Sequence, residues 1–391
     1  MTGTDGMRIL VAGAGIGGLS AGIALAQRGI EVEVVEVKPV DMPMGVGLVL
    51  PANALRGLRE LGVLDQCLAA GVPFDRNLFC EPDGRPIVEV RSRIGHRDGL
   101  PSLAVHRAEL HRVLLGAAKE AGVPVAYGTT VSGVTSDGDG AHVRLSSGRT
   151  ATYDLVVGFD GINSALRQYV TWPMDVRPHH TGFATWRVSV SRAPEIRCGT
   201  LFMGVGNKAG LNPLSHDEMY LFATTREPVG TQLDRRRLHE ILRQRLAGYG
   251  GLVAEVLNSL TGPQGIVYSP IEEVRLPAWH RGRVLVAGDA AHATAPQLTQ
   301  GAAMAVEDAI VLARLLAPSG PGTSAGPVTA VPSRFTAARR ERCTFVQDAS
   351  KRILLAETAN DAVAVVQRLD RIRELPARTA AIDAVLSRPA W

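Results

Sequence analysis

One acidic residue stands between an apolar run and the start of a helix in VAGDAAHATAPQLTQGAAMAVED, residues 286–308. Asp289 follows the run at a predicted strand end, where ligands of parallel α/β sheets bind. Its carboxylate can accept hydrogen bonds from a sugar-like chain. Gly301 and Ala302 then open a helix, whose positive end favours developing negative charge, and Pro296 stiffens the loop between them. The stretch therefore predicts a site for a ligand that has both a sugar-like hydroxyl chain and a group that develops negative charge.

A second set of residues with chemical meaning lies near the N-terminus, in GAGIGG at 13–18. Gly13, Gly15 and Gly18 follow a predicted strand and precede a predicted helix. This spacing fits the dinucleotide fingerprint, in which the helix start faces a pyrophosphate. Glu36 ends the next strand and can accept both hydroxyls of an adenosine ribose, while repelling a 2′-phosphate. The bound dinucleotide is therefore expected to be FAD or NAD rather than NADP.

The two stretches are interpreted as holding opposite ends of one long cofactor. Adenosine is placed at Glu36, the pyrophosphate at 13–18, a ribityl chain at Asp289 and a flavin ring at Gly301. A reduced flavin carries negative charge at one ring edge, which suits the helix start. NAD needs no such second anchor, so FAD is the predicted cofactor.

A third stretch, GFDGINSALR at 158–167, follows the predicted strand YDLVV. Asp160 lies between two glycines that permit a tight turn, and Asn163 is a candidate cap for the next helix. An ordinary corner between a strand and a helix explains this pattern nearly as well as a binding role does.

The elements that must position these residues alternate between two patterns. Residues 7–36 predict a strand, a helix and a second strand, which favours a parallel sheet. Residues 179–226 alternate as strands and predict a separate antiparallel sheet, and 234–260 return to helix. The fold class is predicted as α/β, with a Rossmann-like FAD-binding domain of the glutathione reductase type, an inserted antiparallel substrate sheet and C-terminal helices.

The predicted domains are discontinuous because the inserted sheet interrupts the first fold. The ranges are 1–75, 101–178 and 276–316 for the FAD-binding domain, 76–100 and 179–275 for the substrate domain, 317–333 for a flexible loop, and 334–391 for C-terminal helices.

In order and separation, these motifs resemble the class A FAD-dependent aromatic hydroxylases, which are single-component flavoprotein monooxygenases similar to para-hydroxybenzoate, salicylate and 6-hydroxynicotinate hydroxylases. The resemblance covers roughly residues 7–316 and includes VHRAELH. It implies FAD contacts by Glu36, Arg107, Asp160 and Asp289. In that family the stretch around Asp160 also takes part in binding the nicotinamide donor, which has no Rossmann domain of its own. This chain fits that pattern, because it has no second GxGxxG unit.

The resemblance implies a reaction as well. NADH or NADPH reduces FAD, dioxygen adds to form a flavin C4a-hydroperoxide, and one oxygen atom passes to an aromatic or heteroaromatic small molecule. The cofactor carries the chemistry while protein groups orient and shield it. Two positions depart from the family pattern: Thr299, where Gly or Ala is frequent, and Val46, where small residues are frequent.

Candidates for contact with the substrate come from the inserted sheet, apart from Pro296, which is expected to shield the flavin. The resemblance favours Tyr220, after the turn in NPLSHDEMY, and the other candidates are Arg187, Asn212 and His216. Each residue also has an ordinary structural explanation. An apolar pocket wall is expected from Leu48, Phe202, Met203 and Phe222, and core packing explains these four residues equally well.

Several alternatives stay open from the sequence. The reaction can be epoxidation, Baeyer–Villiger insertion or decarboxylative hydroxylation, or the flavoprotein can act as a reductase or as a binding module without turnover. A simple NAD dehydrogenase would leave Asp289 without a role. The segments WxWxIP and YxWxFPK of flavin halogenases and geranylgeranyl-type reductases do not occur. Few charges in 198–226 favour a neutral bicyclic or heteroaromatic substrate.

Composition narrows the remaining classes. The chain has 391 residues, of which 46% are hydrophobic, so it can form one large domain or two interleaved ones. With 42 Lys and Arg against 38 Asp and Glu and no dense basic run, nucleic acid is not an expected partner. The four cysteines show no metal-ligand spacing, so no metal is expected. No membrane segment or signal peptide is expected, so the protein is predicted to be cytoplasmic. It is expected to be a monomer or a homodimer.

Overall fold

The computed structural model describes residues 6–39, 45–91, 99–317, 326–360 and 380–391. The strands are β1 Arg8–Ala12, β2 Glu31–Glu36, β3 Gly47–Leu50, β4 Gly71–Phe74, β5 Arg76–Cys80, β6 Pro86–Arg91, β7 Ser102–His106, β8 Val125–Tyr127, β9 Val131–Ser136, β10 Ala141–Leu145, β11 Thr150–Tyr153, β12 Leu155–Gly158, β13 His179–Ser191, β14 Gly199–Met203, β15 Lys208–Pro213, β16 Glu218–Arg226, β17 Val267–Glu273, β18 His280–Arg281 and β19 Val284–Val286. The helices are α1 Ile16–Ala26, α2 Ala52–Glu60, α3 Leu64–Ala69, α4 Arg107–Glu120, α5 Ala165–Thr171, α6 Leu238–Arg245, α7 Gly251–Ser259, α8 Asp289–His292, α9 Gly301–Leu316, α10 Val331–Glu357 and α11 Ala380–Leu386.

A six-stranded sheet in the order β18-β19-β12-β1-β2-β8 forms the centre of the first domain. Strand β1 pairs in parallel with both β2 and β12, and only the β18–β19 pair is antiparallel. Strand β1 reads RILVA and is almost completely buried, as expected for a parallel strand with both faces covered. Helix α1 packs against α4 and α9. The predicted α/β fold class is therefore confirmed.

The second domain contains a seven-stranded sheet in the order β17-β13-β16-β15-β14-β5-β6. Its pairs are antiparallel except β14–β5, which is parallel, so the sheet is mixed at that pair. Leu221 and Ala223 of β16 pack into a core shared with α6 and α7. Tyr220 and Phe222 alternate with them and project to the opposite face. Because a strand has a period of two, one segment supplies both a core and a site.

The predicted helix cap Asn163 is wrong. The residue that caps α5 is Ser164 rather than Asn163, because the Ser164 hydroxyl accepts a hydrogen bond from the Arg167 N–H at 2.9 Å. Pro51 precedes α2, whereas Asn53 lies inside that helix with a fully buried side chain. Its amide is used to join α2 to α9, as described below.

The predicted loop 317–333 is shorter than expected where the structure describes it. A 3-10 turn occupies Val328–Ala330, and α10 begins at Val331, because Pro332 is accommodated in the first turn of a helix. Residues 318–325 of the loop, and 361–379 of the predicted C-terminal helices, lie outside the described residues. In the described part of the chain, no helix combines the length and apolar character needed to cross a bilayer.

Candidate active site

A single cavity of about 1200 Å³ brings most of the predicted site residues together. Glu36, Lys38 and Asp289 of the first domain line it, together with Tyr220 and Phe222 of the second. Pockets for one drug-sized ligand measure roughly 300–1,000 Å³. The cavity therefore has room for an extended cofactor and a small substrate.

The three fingerprint glycines have different roles at the dinucleotide end. Gly13 adopts φ +105°, and a Cβ there would lie 2.4 Å from the carbonyl oxygen of Phe159. A Cβ on Gly18 would lie 1.8 Å from the carbonyl oxygen of Gly13. A Cβ on Gly15 would meet nothing within 4 Å, and Gly15 lines the cavity. Gly13 and Gly18 therefore build the turn, and Gly15 leaves space at the start of α1 for a phosphate.

Glu36 ends β2 beside this turn. Its Oε2 accepts a hydrogen bond from the Ala14 N–H at 2.8 Å, and its Oε1 accepts one from the Lys38 N–H at 3.0 Å. The carboxylate is thus fixed at the cavity wall while its remaining lone pairs stay available for ribose hydroxyls.

Helix α4 contributes two cavity residues. The Arg107 N–H donates to the Val46 carbonyl oxygen at 2.9 Å, and its guanidinium group lies exposed at the cavity. One turn later, His111 Nε2 lies 2.9 Å from the carbonyl oxygen of Ala14. Sequence reasoning missed His111, although residues four apart share a helix face.

Asp160 does not line the cavity, whereas its neighbours Phe159 and Gly161 do. Its Oδ2 accepts from the Leu166 N–H at 3.2 Å, and burial raises the pKa of the carboxyl group. Its placement therefore supports a role in building the turn before α5, and its contact with FAD stays a prediction.

The stretch that begins at Gly288 forms the middle of the cavity. Asp289 is exposed to the cavity as the first residue of α8, and its Oδ1 lies 4.0 Å from the Cβ position of Gly301 at the start of α9. Ala302 also lines the cavity. Among the described residues, two more cavity residues have buried oxygens without a hydrogen-bond partner, Thr294 Oγ1 and Gln297 Oε1. Buried polar atoms normally have partners, so these residues fit a polar cofactor.

Pro296 and Thr299 form the cavity wall before α9. Pro296 opens a 3-10 turn that ends at Leu298. Thr299 has φ +56°, in the left-handed region that costs an L-residue roughly 1–2 kcal/mol. A glycine at this position would adopt the same conformation without that cost.

The substrate sheet contributes Arg187, Asn212 and Tyr220 to the same cavity. Tyr220 and Asn212 are paired neighbours on β16 and β15, and burial raises the pKa of Tyr220 to about 12. Its phenol is therefore a hydrogen-bond donor at neutral pH. Arg187 donates to Thr185 Oγ1 at 3.2 Å and has no ion pair with an acid among the described residues. The chain thus offers two hydrogen-bond donors to an acceptor atom of a bound ligand.

Three predicted substrate-side residues lie elsewhere. His216 has a side chain that is 96% exposed and lies 2.7 Å from Asp217 in the turn between β15 and β16. Phe202 packs into the core below α6 and α7, and Met203 is likewise buried away from the cavity. These are corrections: of the expected apolar wall, only Leu48 and Phe222 line the cavity.

Lys208 is a cavity residue that sequence reasoning did not select. It lies on β15 with its side chain 5% exposed, and its Nζ is 2.5 Å from Glu357 of α10. It also approaches the ring of Phe222 at 5.9 Å. The available signal was its rarity, since the chain has only four lysines.

Comparisons with known proteins agree with this geometry. A sequence model of the FAD binding domain matches residues 6–353. The chain belongs to this family of FAD-binding proteins. It is 35% identical over 314 residues to the 2-heptyl-3-hydroxy-4(1H)-quinolone synthase of Pseudomonas aeruginosa, covering 79% of this chain and 80% of that protein. It is 32% identical over 352 residues to the aurachin C monooxygenase/isomerase of Stigmatella aurantiaca, covering 89% of each.

A solved structure extends the agreement to the whole fold. HpxO of Klebsiella pneumoniae, complexed with FAD and uric acid, superposes with a TM-score of 0.88 at 27% identity, covering 99% of both chains. The predicted cofactor FAD and the predicted class, an FAD-dependent monooxygenase that uses NAD(P)H, are confirmed. When bound, FAD supplies the redox chemistry and the activation of oxygen. The residues of this chain bind it, orient it and exclude water from it.

Proposed function

We propose that this flavoprotein hydroxylates a 4-quinolone-type bicyclic heteroaromatic compound that carries an apolar substituent. The observation that carries the proposal is the continuity of the cavity, which joins Asp289 and Gly301 to Tyr220 and Arg187. Two relatives with roughly one third identity are a quinolone synthase and an aurachin monooxygenase. A planar bicyclic ring with one exocyclic oxygen suits both the donors and the apolar wall of this cavity.

The donors support a specific orientation for such a ring. The protonated Tyr220 phenol and the Arg187 guanidinium can both donate to the exocyclic oxygen. Because Arg187 has no carboxylate partner in the described chain, its charge favours the ring in its deprotonated, electron-rich form. An electron-rich ring carbon is what oxygen transfer requires, and Phe222 and Val46 cover the ring from water.

Four apolar residues also line the cavity, and we call them the apolar arm: Leu233, Leu238, Ile266 and Val267. The polar residues Thr231, Gln232 and Arg235 line the cavity beside them in the sequence. An alkyl substituent buried there gains about 0.8 kcal/mol per methylene group. A urate-like substrate, in contrast, would leave this apolar surface without a partner.

The test is oxygenation of defined substrates by FAD-loaded protein. Oxidation of NADH and of NADPH would be followed in air with 2-heptyl-4(1H)-quinolone, uric acid and 6-hydroxynicotinate, while peroxide and oxygenated product are both measured. We expect the quinolone alone to accelerate oxidation and to gain one oxygen atom from labelled dioxygen. A hydroxylated product from uric acid only would transfer the proposal to that substrate class. Peroxide without product from all three would contradict it.

A further inference from the structure

A cluster of buried charged residues lies behind Gly288 and Asp289, and the site described above does not use it. Glu307 and Asp308 of α9, and Arg339 of α10, are 0% exposed, and His292 of α8 is 4% exposed. The fifth member, Arg342 of α10, is nearly buried. We call these five residues the charge cluster. None of them lines the cavity, so they act on the site only through other groups or through their charge.

Asp308 connects the charge cluster to the cavity wall. Its Oδ2 accepts hydrogen bonds from the Gly288 N–H at 2.8 Å and from His292 Nε2 at 2.7 Å. Its Oδ1 accepts from Arg339 Nε at 2.6 Å. Gly288 adopts φ +57° and ψ −144°, a conformation that glycine tolerates, directly before Asp289. The Asp308 carboxylate therefore fixes the backbone from which Asp289 enters the cavity.

Glu307, the acid next to Asp308 in α9, has different partners. Glu307 accepts from Arg339 Nη1 at 2.9 Å and from Arg342 Nε at 2.8 Å. Its Oε1 also accepts from Asn53 Nδ2 at 3.0 Å, and Asn53 exchanges amide hydrogen bonds with Gln300 at the start of α9. Glu307 therefore holds helices together and makes no contact with Gly288 or His292.

Ion pairs hold the charge cluster together. Burial opposes a charged imidazole, but Cys343 and Asp308 raise the pKa of His292 well above its ordinary value. His292, Arg339 and Arg342 then pair with Glu307 and Asp308. The Asp308 carboxylate therefore has buried donors on both of its oxygens, which hold it in place.

We propose that the His292–Asp308 pair positions bound FAD. Asp308 fixes the backbone that presents Asp289 to the cofactor, and His292 holds the Asp308 carboxylate in that position. Both are positioning residues, since neither lines the cavity. The proposal concerns FAD alone and does not depend on which ring is oxidised.

The same atoms also satisfy the spacing of a metal site, which gives the proposal a rival. Donor atoms of His292, Asp308 and Cys343 lie within 4.8 Å of one another. The Asp308 oxygens, however, already accept from three donors, and one of them is an arginine. A metal ion would have to displace these protons and would lie beside a guanidinium cation.

The first experiment compares Asp308→Asn with Glu307→Gln in FAD-free protein titrated with FAD. Both changes remove one negative charge from adjacent, fully buried positions that contact Arg339. We expect Asp308→Asn to weaken FAD binding at least tenfold and Glu307→Gln to change it less than threefold. Equal weakening by the two variants would overturn the positioning role, because it would reflect lost stability alone.

The second experiment tests the His292 donor, and it also serves if Asp308→Asn does not fold. His292→Ala leaves Asp308 Oδ2 without this donor, whereas His292→Gln keeps a donor at the same position. We expect His292→Ala to bind FAD at least tenfold more weakly than the wild type and His292→Gln to bind it within threefold. His216→Ala, on the exposed turn, is the matched control and should bind FAD as the wild type does. Unchanged FAD affinity in His292→Ala, or a stoichiometric metal in the purified protein, would overturn the proposal.

Discussion

Asp289 illustrates how much depends on a single side chain. Its carboxylate lies beside the start of α9, where it can accept hydroxyls of the FAD ribityl chain. Hydrogen bonds to a charged group contribute roughly 1.5–3 kcal/mol. We therefore expect Asp289→Ala to weaken FAD binding about 10- to 100-fold with the fold intact. Fluorescence titration of FAD-free protein measures the affinity, and circular dichroism checks the fold.

The control for this change is Asp217→Ala, because Asp217 lies on the exposed turn between β15 and β16. That variant should bind FAD as the wild type does. Full retention of FAD by Asp289→Ala would contradict the role assigned to Asp289.

The buried Tyr220 predicts that the wild-type protein and a Tyr220→Phe variant differ in stability at alkaline pH. Burial raises its pKa to about 12, against 10.0 for an ordinary tyrosine. The folded protein therefore keeps this proton to higher pH than the unfolded chain. The resulting stability is fully present below about pH 10 and is lost as the pH rises through about 12. A shift of two pH units corresponds to about 3 kcal/mol.

We accordingly expect wild-type protein to lose about 2–3 kcal/mol more of its free energy of unfolding than Tyr220→Phe between pH 9 and pH 12. Urea unfolding at one-unit steps of pH measures this difference. Tyr153, whose pKa is also raised to about 12, is present in both proteins and cancels. If both proteins lose the same free energy of unfolding over this range, folding does not raise the pKa of Tyr220.

At the scale of elements, the end of α10 joins the substrate sheet to the rest of the molecule. Lys208 on β15 pairs with Glu357, and the Gly206 N–H donates to the Ala359 carbonyl oxygen at 3.0 Å. Because Lys208 also lines the cavity, the same contact supports one cavity wall. A helix far along the chain therefore helps to shape the substrate region.

Lys208→Met should destabilise the protein by about 3 kcal/mol, because it removes one partner of a buried ion pair. The double variant Lys208→Met with Glu357→Leu should recover most of this loss, since both charges are then absent. Thermal and urea unfolding of the FAD-saturated proteins measure both effects. If the double variant is no more stable than the single one, the unpaired charge of Glu357 is not the cause of the lost stability.

The elements that could be predicted from the sequence are those whose residues follow a local pattern, such as an apolar run or a glycine turn. The strand, helix and strand at 7–36 follow from an apolar run, the glycine turn and a second apolar run, and the structure contains them as β1, α1 and β2. Gly15 and Asp289 follow strands that end at the cavity, and Glu36 is the last residue of such a strand, so all three line the cavity. Tyr220 and Arg187 also reached the cavity.

The remaining site residues depend on contacts that no local pattern encodes. His216 and Tyr220 belong to the same hairpin, but the turn directs His216 to solvent while the strand directs Tyr220 inwards. Lys208 is fixed by a residue about 150 positions away, and Asn53 by Gln300 and Glu307 of another helix. Partners at such separations become visible only once the sheets are assembled.

At the scale of the whole molecule, the cavity exists because two domains meet along it. The first domain supplies Glu36, Arg107 and Asp289, whereas the substrate sheet supplies Tyr220 and Leu238 comes from its covering helix. Neither domain encloses the ligand by itself. The same cavity is therefore lined by the apolar arm and by the residues that are predicted to hold FAD.

That arm predicts how activity depends on the alkyl substituent of a quinolone. Each buried methylene contributes about 0.8 kcal/mol, or about fourfold in an equilibrium constant. Along a series of 2-alkyl-4(1H)-quinolones, we expect KM to fall about fourfold per added methylene until the arm is filled, and then to level off. Leu238→Trp should fill the arm, so that it raises KM for the heptyl compound while leaving that of the methyl compound unchanged. A KM independent of chain length in the wild type would show that the substituent lies outside the cavity, and the ring would then need a different orientation against Tyr220 and Arg187.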